Sequence, residues 1–261
     1  MKKVKEVIEV IESLAPTYLK EDFDNVGLMV GDKEKEVKKV LLALDCTLKV
    51  IKEAKDNNVD LIITHHPLIF RRPNSITTDT LQGKKIIELI KNDISLYSSH
   101  TNLDSASNGL NDSIPFMLGY ESSEILELNK RDSEAGLGRV IDLGEQIALE
   151  DIIDKVKKAF NINNLRVVKG KDYVNKIAII NGSGQDFISK AVSKGVDCII
   201  TGDTTYHFAS DYKEMGINII DAGHFSSEQI VFFNVMKKLL DKFSDIEIIL
   251  SKVEEDPYTF L

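Results

Sequence analysis

Histidines stand at the ends of predicted strands in this sequence, which is where an α/β protein commonly binds its ligands. His65 and His66 directly follow one apolar strand-like run, and His100 and His224 follow two others. His207 comes shortly after a fourth run. In open α/β sheets, ligands bind in the crevice outside the carboxyl ends of the strands. The placement therefore predicts that these histidines contribute to a functional site.

Two carboxylates accompany the histidines at a repeated spacing. Asp104 follows His100 by four residues, and Glu228 follows His224 by four residues. Imidazole nitrogens and carboxylate oxygens without a thiolate suit zinc, iron, manganese, cobalt or nickel, and the residue types do not choose among these metals. Carboxylates also bridge two metal ions and offset their mutual repulsion. The combined set predicts a site for two divalent metal ions per chain.

Each of these residues taken alone has a plainer explanation. The pair His65 and His66 also suits a polar cap at a strand end, although Pro67 bends the chain there and lets both imidazoles reach metal ions. Asp104 also suits a turn. Glu228 also suits the first turn of a helix, where the helix dipole favours an anion. The metal site is favoured because all of them occur together.

Four further residues are candidates for other roles at such a site. His100 suits a proton carrier in catalysis, since an imidazole exchanges protons near neutral pH. Arg71, Arg72 and His207 suit the binding of an anionic substrate. Ordinary polar or solvated side chains are an alternative explanation for all four. The segment 182–184, Gly-Ser-Gly, suits a phosphate cradle, but a tight turn explains it at least as well.

Apolar strand-like runs alternate with helical patterns along the chain, which predicts an α/β fold with a parallel or mostly parallel sheet. Strands are expected at 39–44, 59–64, 94–98, 165–168, 176–180, 197–201, 217–221 and 246–250. Helices are expected at the N-terminus and at 47–57, 80–92, 151–160, 187–194 and 228–243. The stretch 120–150 is more polar and is expected to be less regular.

An internal repeat divides the sequence into two related parts. The phrase VDLIIT at 59–64 returns as VDCIIT at 196–201. A short helix precedes each copy, and a second strand ending in a histidine, His100 or His224, follows each copy. The repeat predicts two related α/β halves that face each other, with their strand ends meeting at one site.

The composition argues against several classes of protein. With 33 Lys and Arg against 42 Asp and Glu, the formal net charge of −9 argues against nucleic-acid binding, which needs a basic surface. Cys46 and Cys198 are too few for a disulfide framework, and both are expected to be small buried residues. No apolar run is long enough to span a membrane, and the N-terminus suits an amphipathic helix rather than a signal peptide. We therefore expect a cytoplasmic protein.

Five short motifs together resemble the dinuclear-metal-centre family called NIF-three-like, many of whose members are labelled GTP cyclohydrolase 1 type 2 homologues. The motifs are DNVGL at 24–28, THHP at 64–67, SHTNLD at 99–104, TGD at 201–203 with His207 after it, and GHFSSE at 223–228. They occur in the family's order across nearly the whole chain. Phe23 stands where the family often has tryptophan, and Phe225 where it often has tyrosine.

This resemblance implies a fold and a set of metal ligands. The implied fold is two similar, intertwined α/β halves with mostly parallel sheets and the metal site between them. The halves are expected at 1–125, completed by 228–261, and at 126–227, with no inserted middle domain. The implied ligands of the two divalent ions are His65, His66, Asp104, His224 and Glu228. Glu228 is expected to bridge the ions, and His100 is expected to stay outside the ligand set.

The resemblance also implies an assembly and an activity. Family members commonly form ring-shaped hexamers, so a homohexamer is expected. The family label implies a metal-dependent hydrolase that acts on a nucleotide or another phosphate-bearing substrate, with GTP ring opening as the named reaction. Hydrolysis of a phosphoester or an amide would use the same metals. A non-enzymatic protein that binds metal, delivers it or regulates a partner is the alternative.

Overall fold

The computed structural model describes residues 1–259, which group into two compact units. The strands are β1 (Lys2–Lys3), β2 (Gly27–Val30), β3 (Glu36–Val37), β4 (Lys39–Ala43), β5 (Leu61–Thr64), β6 (Ser95–Ser98), β7 (Glu124–Asn129), β8 (Asp132–Ala148), β9 (Arg166–Val168), β10 (Tyr173–Ser183), β11 (Cys198–Gly202), β12 (Asn218–Asp221) and β13 (Glu247–Leu250). The α-helices are α1 (Val4–Leu14), α2 (Leu48–Asp56), α3 (Leu81–Lys91), α4 (Thr101–Ser105), α5 (Leu110–Met117), α6 (Leu149–Phe160), α7 (Ile188–Ser193), α8 (Tyr206–Glu214) and α9 (His224–Leu240). In this described part of the chain, no helix is long and apolar enough to cross a membrane.

The first unit, Met1–Leu103 with Phe232–Glu255, is built on a five-stranded sheet. The strand order is β13-β4-β5-β6-β2, in which β13, β4, β5 and β6 run parallel and β2 pairs antiparallel with β6. The residues of β5 and β6 are all buried, as expected for strands covered on both faces. Thr47 and Thr80 cap α2 and α3, because each hydroxyl accepts a hydrogen bond from a backbone N–H in the first turn. Because β5 and β6 are parallel neighbours, both strands end at the same edge of the sheet.

The second unit, Asp104–Val231 with the chain from Asp256, has a six-stranded mixed sheet. Its order is β7-β8-β10-β11-β12-β9, with β10, β11 and β12 parallel at the centre and antiparallel partners on both sides. The core of this unit packs aliphatic side chains from the sheet against α7, among them Val140, Ala178, Ile188, Ile199 and Ile219. The predicted α/β class is confirmed. The first sheet is mostly parallel, as expected, whereas the second sheet is mixed, with two parallel and three antiparallel pairings.

The stretch that was expected to be irregular, 120–150, contains a β-hairpin, so that expectation was wrong. Within it β7 pairs antiparallel with the long strand β8. Glycines interrupt the alternation of polar and apolar residues and hide it: Gly136 and Gly138 lie inside β8. A side chain at Gly136 would collide with the backbone of Glu127 on β7, so the pairing itself requires a glycine there.

The internal repeat corresponds to two equivalent pairs of parallel strands. In the first unit, Thr64 at the end of β5 is paired with Ser98 at the end of β6. In the second unit, Thr201 on β11 is paired with Asp221 at the end of β12. The repeated phrase therefore forms an equivalent central strand in each sheet, β5 or β11. Each is paired in parallel with the next strand along the chain, β6 or β12.

The sequence repeat makes His100 and His224 equivalent, but in the structure the equivalence is shifted by one residue. Ser99 and Ala222 each donate a backbone hydrogen bond to the repeated threonine of the neighbouring strand, at 3.0 and 2.8 Å, and are therefore equivalent. The next residue is His100 in one unit and a glycine in the other. Thr101, and not His100, is the counterpart of His224, and both of these residues begin helices, α4 and α9.

The contacts group the chain differently from the domain ranges expected from the sequence. The expected halves were 1–125 with 228–261, and 126–227, whereas the units change at Leu103 and Val231. Helix α5 contacts β8 and β10, which are strands of the second sheet, so the segment after β6 is grouped with that sheet. Strand β13 pairs with β4 and so belongs to the first unit.

Candidate metal centre

Three imidazoles come together at the carboxyl edge of the first sheet. His65 and His66 follow β5, and His100 follows the neighbouring strand β6. The three residues each offer one ring nitrogen, and these nitrogens lie within 4.8 Å of one another. The ring centroid of His65 lies 5.2 Å from those of both His66 and His100. The parallel strands thus gather three histidines at one edge, and His100 is among them.

The buried residue His65 has a defined tautomer. Its Nδ1 lies 2.8 Å from the backbone carbonyl oxygen of Ser99, and the residue has no solvent exposure. A carbonyl oxygen only accepts hydrogen bonds, so Nδ1 must donate and must carry the proton. The lone pair of the neutral imidazole then lies on Nε2, which is the nitrogen that can coordinate a metal ion.

In His66 and His100, the ring nitrogen Nδ1 contacts a carboxylate. His66 Nδ1 lies 3.1 Å from Asp45 Oδ1, and His100 Nδ1 lies 2.9 Å from Asp24 Oδ1. The side chain of Asp45 is half exposed, whereas that of Asp24 is completely buried. An ionised carboxylate accepts hydrogen bonds and therefore favours a proton on Nδ1. Both contacts direct the lone pair to Nε2.

Asp24 is held as an anion by its surroundings. Burial raises the pKa of its carboxyl group, but hydrogen bonds and charge from His100 and hydrogen bonds from Thr101 outweigh this effect and lower the pKa to about 2. Thr101 donates to Asp24 Oδ2 through its backbone N–H at 3.1 Å and also through its hydroxyl. An ionised Asp24 fixes the orientation of the His100 ring at all pH values near neutrality.

A second donor set lies in the second unit, at the start of α9. His224 is the first residue of α9, and Glu228 follows one helical turn later. His224 Nε2 lies 2.9 Å from Glu228 Oε2. Glu228 was expected in the first turn of its helix, and this was wrong because the helix begins earlier than predicted. The contact with an imidazole, rather than the helix dipole, therefore explains a glutamate at this position.

His224 is oriented by a carboxylate in the same way as His66 and His100. Its Nδ1 lies 2.7 Å from Asp203 Oδ2. Asp203 has a φ of 55°, a left-handed conformation that is costly for a residue with a side chain. Strain of this kind collects at functional sites, and here it accompanies the contact that sets the tautomer of His224.

Asn181 joins the two carboxylates of the second unit. Its Nδ2 donates to Asp104 Oδ1 at 3.0 Å and to Glu228 Oε1 at 3.1 Å. Asn111 supports the group, since its Oδ1 accepts from the backbone N–H of Asn181 and its Nδ2 donates to the Asp104 carbonyl. All four residues are more than nine-tenths buried. Asn181 therefore fixes one oxygen of each carboxylate and sets the direction of the other.

The glycine after Asn181 makes room for Glu228. Gly182 has a φ of 58°, and a Cβ at this position would lie 2.1 Å from Glu228 Oε1. A side chain here would force the carboxylate away from Asn181. The approach of a carboxylate therefore explains the first glycine of the segment 182–184, without reference to a phosphate.

The donors in each unit are of the kinds that bind divalent metal ions. Four imidazoles have Nδ1 held by an oxygen and so present Nε2: those of His65, His66, His100 and His224. Asp104 and Glu228 are buried and close enough to share one amide group. Two buried anions at this separation repel each other and need positive charge nearby. Nitrogen and oxygen donors without sulfur are those that zinc, manganese, iron, cobalt and nickel accept.

The three residues predicted to bind substrate are exposed. Arg71 and Arg72 lie in the loop after β5, and neither guanidinium has a hydrogen bond or ion pair within residues 1–259. His207 lies in the first turn of α8, with its ring centroid 5.4 Å from that of Tyr206. Their role in substrate binding stays a prediction.

The sequence did not reveal the residues that orient the donors. Asp24 and Asp203 lie inside the motifs DNVGL and TGD, and membership of a motif was the only sign of their importance. Asp45 follows the buried strand β4 closely, a position that resembles those of the histidines. Asn181 gave no signal, because nothing in its neighbourhood indicates which way its side chain points.

The two cysteines belong to neither donor set. Cys46 and Cys198 are free and buried, as predicted. Burial raises the pKa of the Cys46 thiol to about 12, and it raises the pKa of the Cys198 thiol as well. Both thiols are therefore protonated at neutral pH and are poor metal ligands.

Comparison with known proteins gives matches over almost the whole chain. A family model described as Duf34/NIF3 (NGG1p interacting factor 3) matches residues 2–257. A protein of Clostridium perfringens named GTP cyclohydrolase 1 type 2 homolog is 54% identical over 261 residues, covering 99% of this chain and 100% of the relative.

Solved structures share the fold. A Bacillus cereus protein related to NIF3 has 27% identity and a TM-score of 0.88, covering 100% of this chain and 99% of its own. Reduced HcgD from Methanocaldococcus jannaschii has 38% identity and a TM-score of 0.84, covering 95% of this chain and 97% of its own. The similarity of both structures extends over the two units described above.

Proposed function

Because the chain belongs to the Duf34/NIF3 family, we propose that it binds two divalent metal ions and uses them to hydrolyse a nucleotide or another phosphate-bearing substrate. The family model and the Clostridium perfringens relative confirm the family that the five motifs indicated. The proposed metal ligands are His65, His66, Asp104, His224 and Glu228. Glu228 is the proposed bridging residue, since its carboxylate has two oxygens and is buried.

One observation carries this proposal: every imidazole of the two donor sets has its Nδ1 held by an oxygen. A backbone carbonyl does so for His65, and carboxylates do so for His66 and His224. Metal-binding histidines typically donate their second ring nitrogen to such an acceptor, which fixes the ring and strengthens the ligand. Buried histidines are in general hydrogen-bonded; what His65, His66 and His224 share is that the bond falls on Nδ1, which leaves Nε2 of each ring as the nitrogen available to a metal ion.

The chemistry divides between metal and protein. Divalent ions held by these residues would supply two effects: they would lower the pKa of a water molecule and would polarise the bond to be broken. His100 is the proposed proton carrier, because Asp24 holds its Nδ1 and leaves proton exchange to Nε2. Arg71 and Arg72 are the proposed contacts for the anionic groups of the substrate.

GTP is the first substrate to test. The name of the Clostridium perfringens relative contains GTP cyclohydrolase. The corresponding reaction opens the guanine ring with water, releases formate and leaves dihydroneopterin triphosphate. We extend this reaction to the present chain as a proposal, with phosphoester hydrolysis of other nucleotides as the next class to screen.

The test begins with the metal content of the purified protein. Elemental analysis should find about two divalent ions per chain. The metal-loaded protein is then incubated with nucleotides, and release of formate or phosphate is followed. Formate or phosphate release that stops on chelation supports the hydrolase. Two bound ions without turnover of any nucleotide would support a metal-binding or metal-delivery protein instead.

A further inference from the structure

Two phenylalanine rings lie exposed in the first unit beside the histidine cluster. Phe23 is 67% exposed and Phe70 is 41% exposed. Their ring centroids are 6.3 Å apart and their planes are inclined at 59°. A single exposed phenylalanine is unremarkable, but two in mutual contact form a continuous aromatic surface.

The arrangement of the two rings is built into the backbone. Phe23 precedes the buried residue Asp24, and Phe70 follows the loop that leaves β5. The side-chain amide of Asn25 donates a hydrogen bond to the carbonyl oxygen of Ile69. This bond joins the residues next to the two phenylalanines and holds their loops together. The bond therefore keeps the two phenylalanines close to each other in the fold.

The aromatic surface leads directly to the proposed proton carrier. The Phe70 ring centroid lies 6.4 Å from that of His100, with the planes at 80°. His100 in turn contacts the rings of His65 and His66, at 5.2 and 5.7 Å. A planar group resting on the phenylalanines would therefore lie beside the imidazoles.

Positive charge adjoins the same surface. Arg71 and Arg72 directly follow Phe70, and both are exposed without an ion pair or hydrogen bond in the described part of the chain. Glu21 and Asp22 directly precede Phe23, so the positive charge adjoins the Phe70 end of the surface. Guanidinium groups bind phosphate oxygens in a fork geometry, and they also stack on planar rings.

From these contacts we infer that Phe23 and Phe70 form a binding subsite for a planar heteroaromatic ring that carries anionic groups, such as the base of a nucleotide. The phenylalanines supply a stacking face, which accepts a flat ring whatever its hydrogen-bonding pattern. Arg71 and Arg72 supply contacts for its phosphates. The inference rests on the proposed function, since it names the residues that hold the substrate of that site.

The absence of tryptophan from the chain provides a direct test. Phe23→Trp places a single tryptophan in the subsite, at a position where the family often has this residue. Binding of GTP to the metal-loaded variant should quench its fluorescence, whereas inorganic tripolyphosphate should not. Phe116→Trp is the matched control, because Phe116 is 64% exposed and lies in the second unit. Equal quenching of both variants by GTP would overturn the subsite.

A second substitution separates stacking from charge. Phe70→Leu in the Phe23→Trp background should weaken GTP binding at least about fivefold and leave tripolyphosphate binding, measured by calorimetry, unchanged. Replacing Arg71 and Arg72 with Ala should weaken binding of both compounds. Unchanged GTP affinity in the Phe70→Leu variant would overturn the inference. So would a change of oligomeric state in that variant, measured by light scattering, because the rings would then contact a second copy of the chain.

The outcomes also separate this inference from the proposed function. Fluorescence reports binding and does not depend on turnover. Quenching by GTP in a protein that hydrolyses no nucleotide supports the subsite and contradicts the hydrolase. Nucleotide hydrolysis whose KM is unchanged by Phe70→Leu supports the hydrolase and contradicts the subsite.

Discussion

Nε2 of His224 lies 2.9 Å from Oε2 of Glu228, one turn further along α9. The other ring nitrogen of His224 is held by Asp203 at 2.7 Å. A neutral imidazole carries one proton and can donate to only one of these carboxylates. With the proton on Nδ1, the lone pair of Nε2 faces a carboxylate oxygen, so these two atoms would hold a cation, whose positive charge would relieve their repulsion.

Replacing Glu228 with Gln is therefore expected to lower the metal content. The amide keeps the shape of the side chain but loses its charge and its capacity to bridge two ions. Elemental analysis should show a fall from about two ions per chain to fewer than about one. Glu145→Gln, at an exposed position of the second unit, is the control and should keep both ions. Full occupancy in the Glu228 variant would contradict the bridging role.

Asn181→Ala is expected to weaken metal binding without removing any ligand. The variant loses the amide that holds Asp104 and Glu228, so the two carboxylates are no longer pre-oriented. Loss of such an outer contact typically lowers metal affinity by about 10- to 100-fold. Calorimetric titration of the metal-free protein measures the change. Asn234→Ala, on the exposed face of α9, should have no effect. Equal affinities in the two variants would show that Asn181 does not position the carboxylates.

His100 and His224 are expected to differ when each is replaced with Ala. His224→Ala should lower metal content, since a proposed ligand is lost. His100→Ala should keep most of the metal and lose at least about a hundredfold of any hydrolytic activity, because the proton carrier is lost. The cluster geometry makes this a demanding test, as His100 offers a nitrogen within 4.8 Å of those of His65 and His66. Metal loss in both variants would make His100 a ligand.

The sequence predicted the positions of the donors better than their orientation. The central strands carry unbroken apolar runs, so their ends, and with them His65, His66 and His100, could be placed in advance. The start of α9 could not, because the residues 224–227 lack a strong helical pattern, and the sequence pattern places His224 at the end of the preceding strand. The roles of Asp203 and Asn181 depend on side-chain direction, which the pattern of polar and apolar residues does not encode.

The hairpin of β7 and β8 shows a second limit of the sequence. Strand signals depend on alternation of polar and apolar residues, and β8 contains Gly136, Gly138 and Gly144. These glycines permit local changes of direction that keep apolar residues buried while breaking the simple period. Only the paired strand β7 explains why Gly136 must lack a side chain, and a contact of that kind cannot be read from one segment.

Asp24→Asn should destabilise the metal-free protein in a pH-dependent way. The pKa of Asp24 is lowered from 3.8 to about 2 in the folded protein, so the ionised form stabilises the fold. That contribution, on the order of 2 kcal/mol, is present above the unfolded pKa and is lost as the pH falls toward 2. Denaturant unfolding should therefore show the largest difference from wild type at pH 6–7 and little difference near pH 2. A difference that is constant with pH would mean that shape, and not charge, is what Asp24 contributes.

The last prediction concerns assembly. The family resemblance implies a homohexamer, and α9 keeps large apolar side chains only partly buried, among them Ile230, Phe233 and Leu239. Apolar surface of this kind is stabilised when it is covered by another copy of the chain. Light scattering at micromolar concentration should give a mass close to six times 29.2 kDa. A species of 29.2 kDa would contradict the assembly.

A charge placed on this surface tests whether α9 takes part. Phe233→Asp puts an anion at a half-buried apolar position and should shift the protein to smaller species, because burying an unpaired charge at an interface is costly. Asn234→Asp adds the same charge at the next, exposed position and should leave the mass unchanged. Circular dichroism shows whether each variant is folded. A folded Phe233→Asp variant that keeps the wild-type mass would place α9 in the core of its own chain, and the contacts of the hexamer would then lie elsewhere.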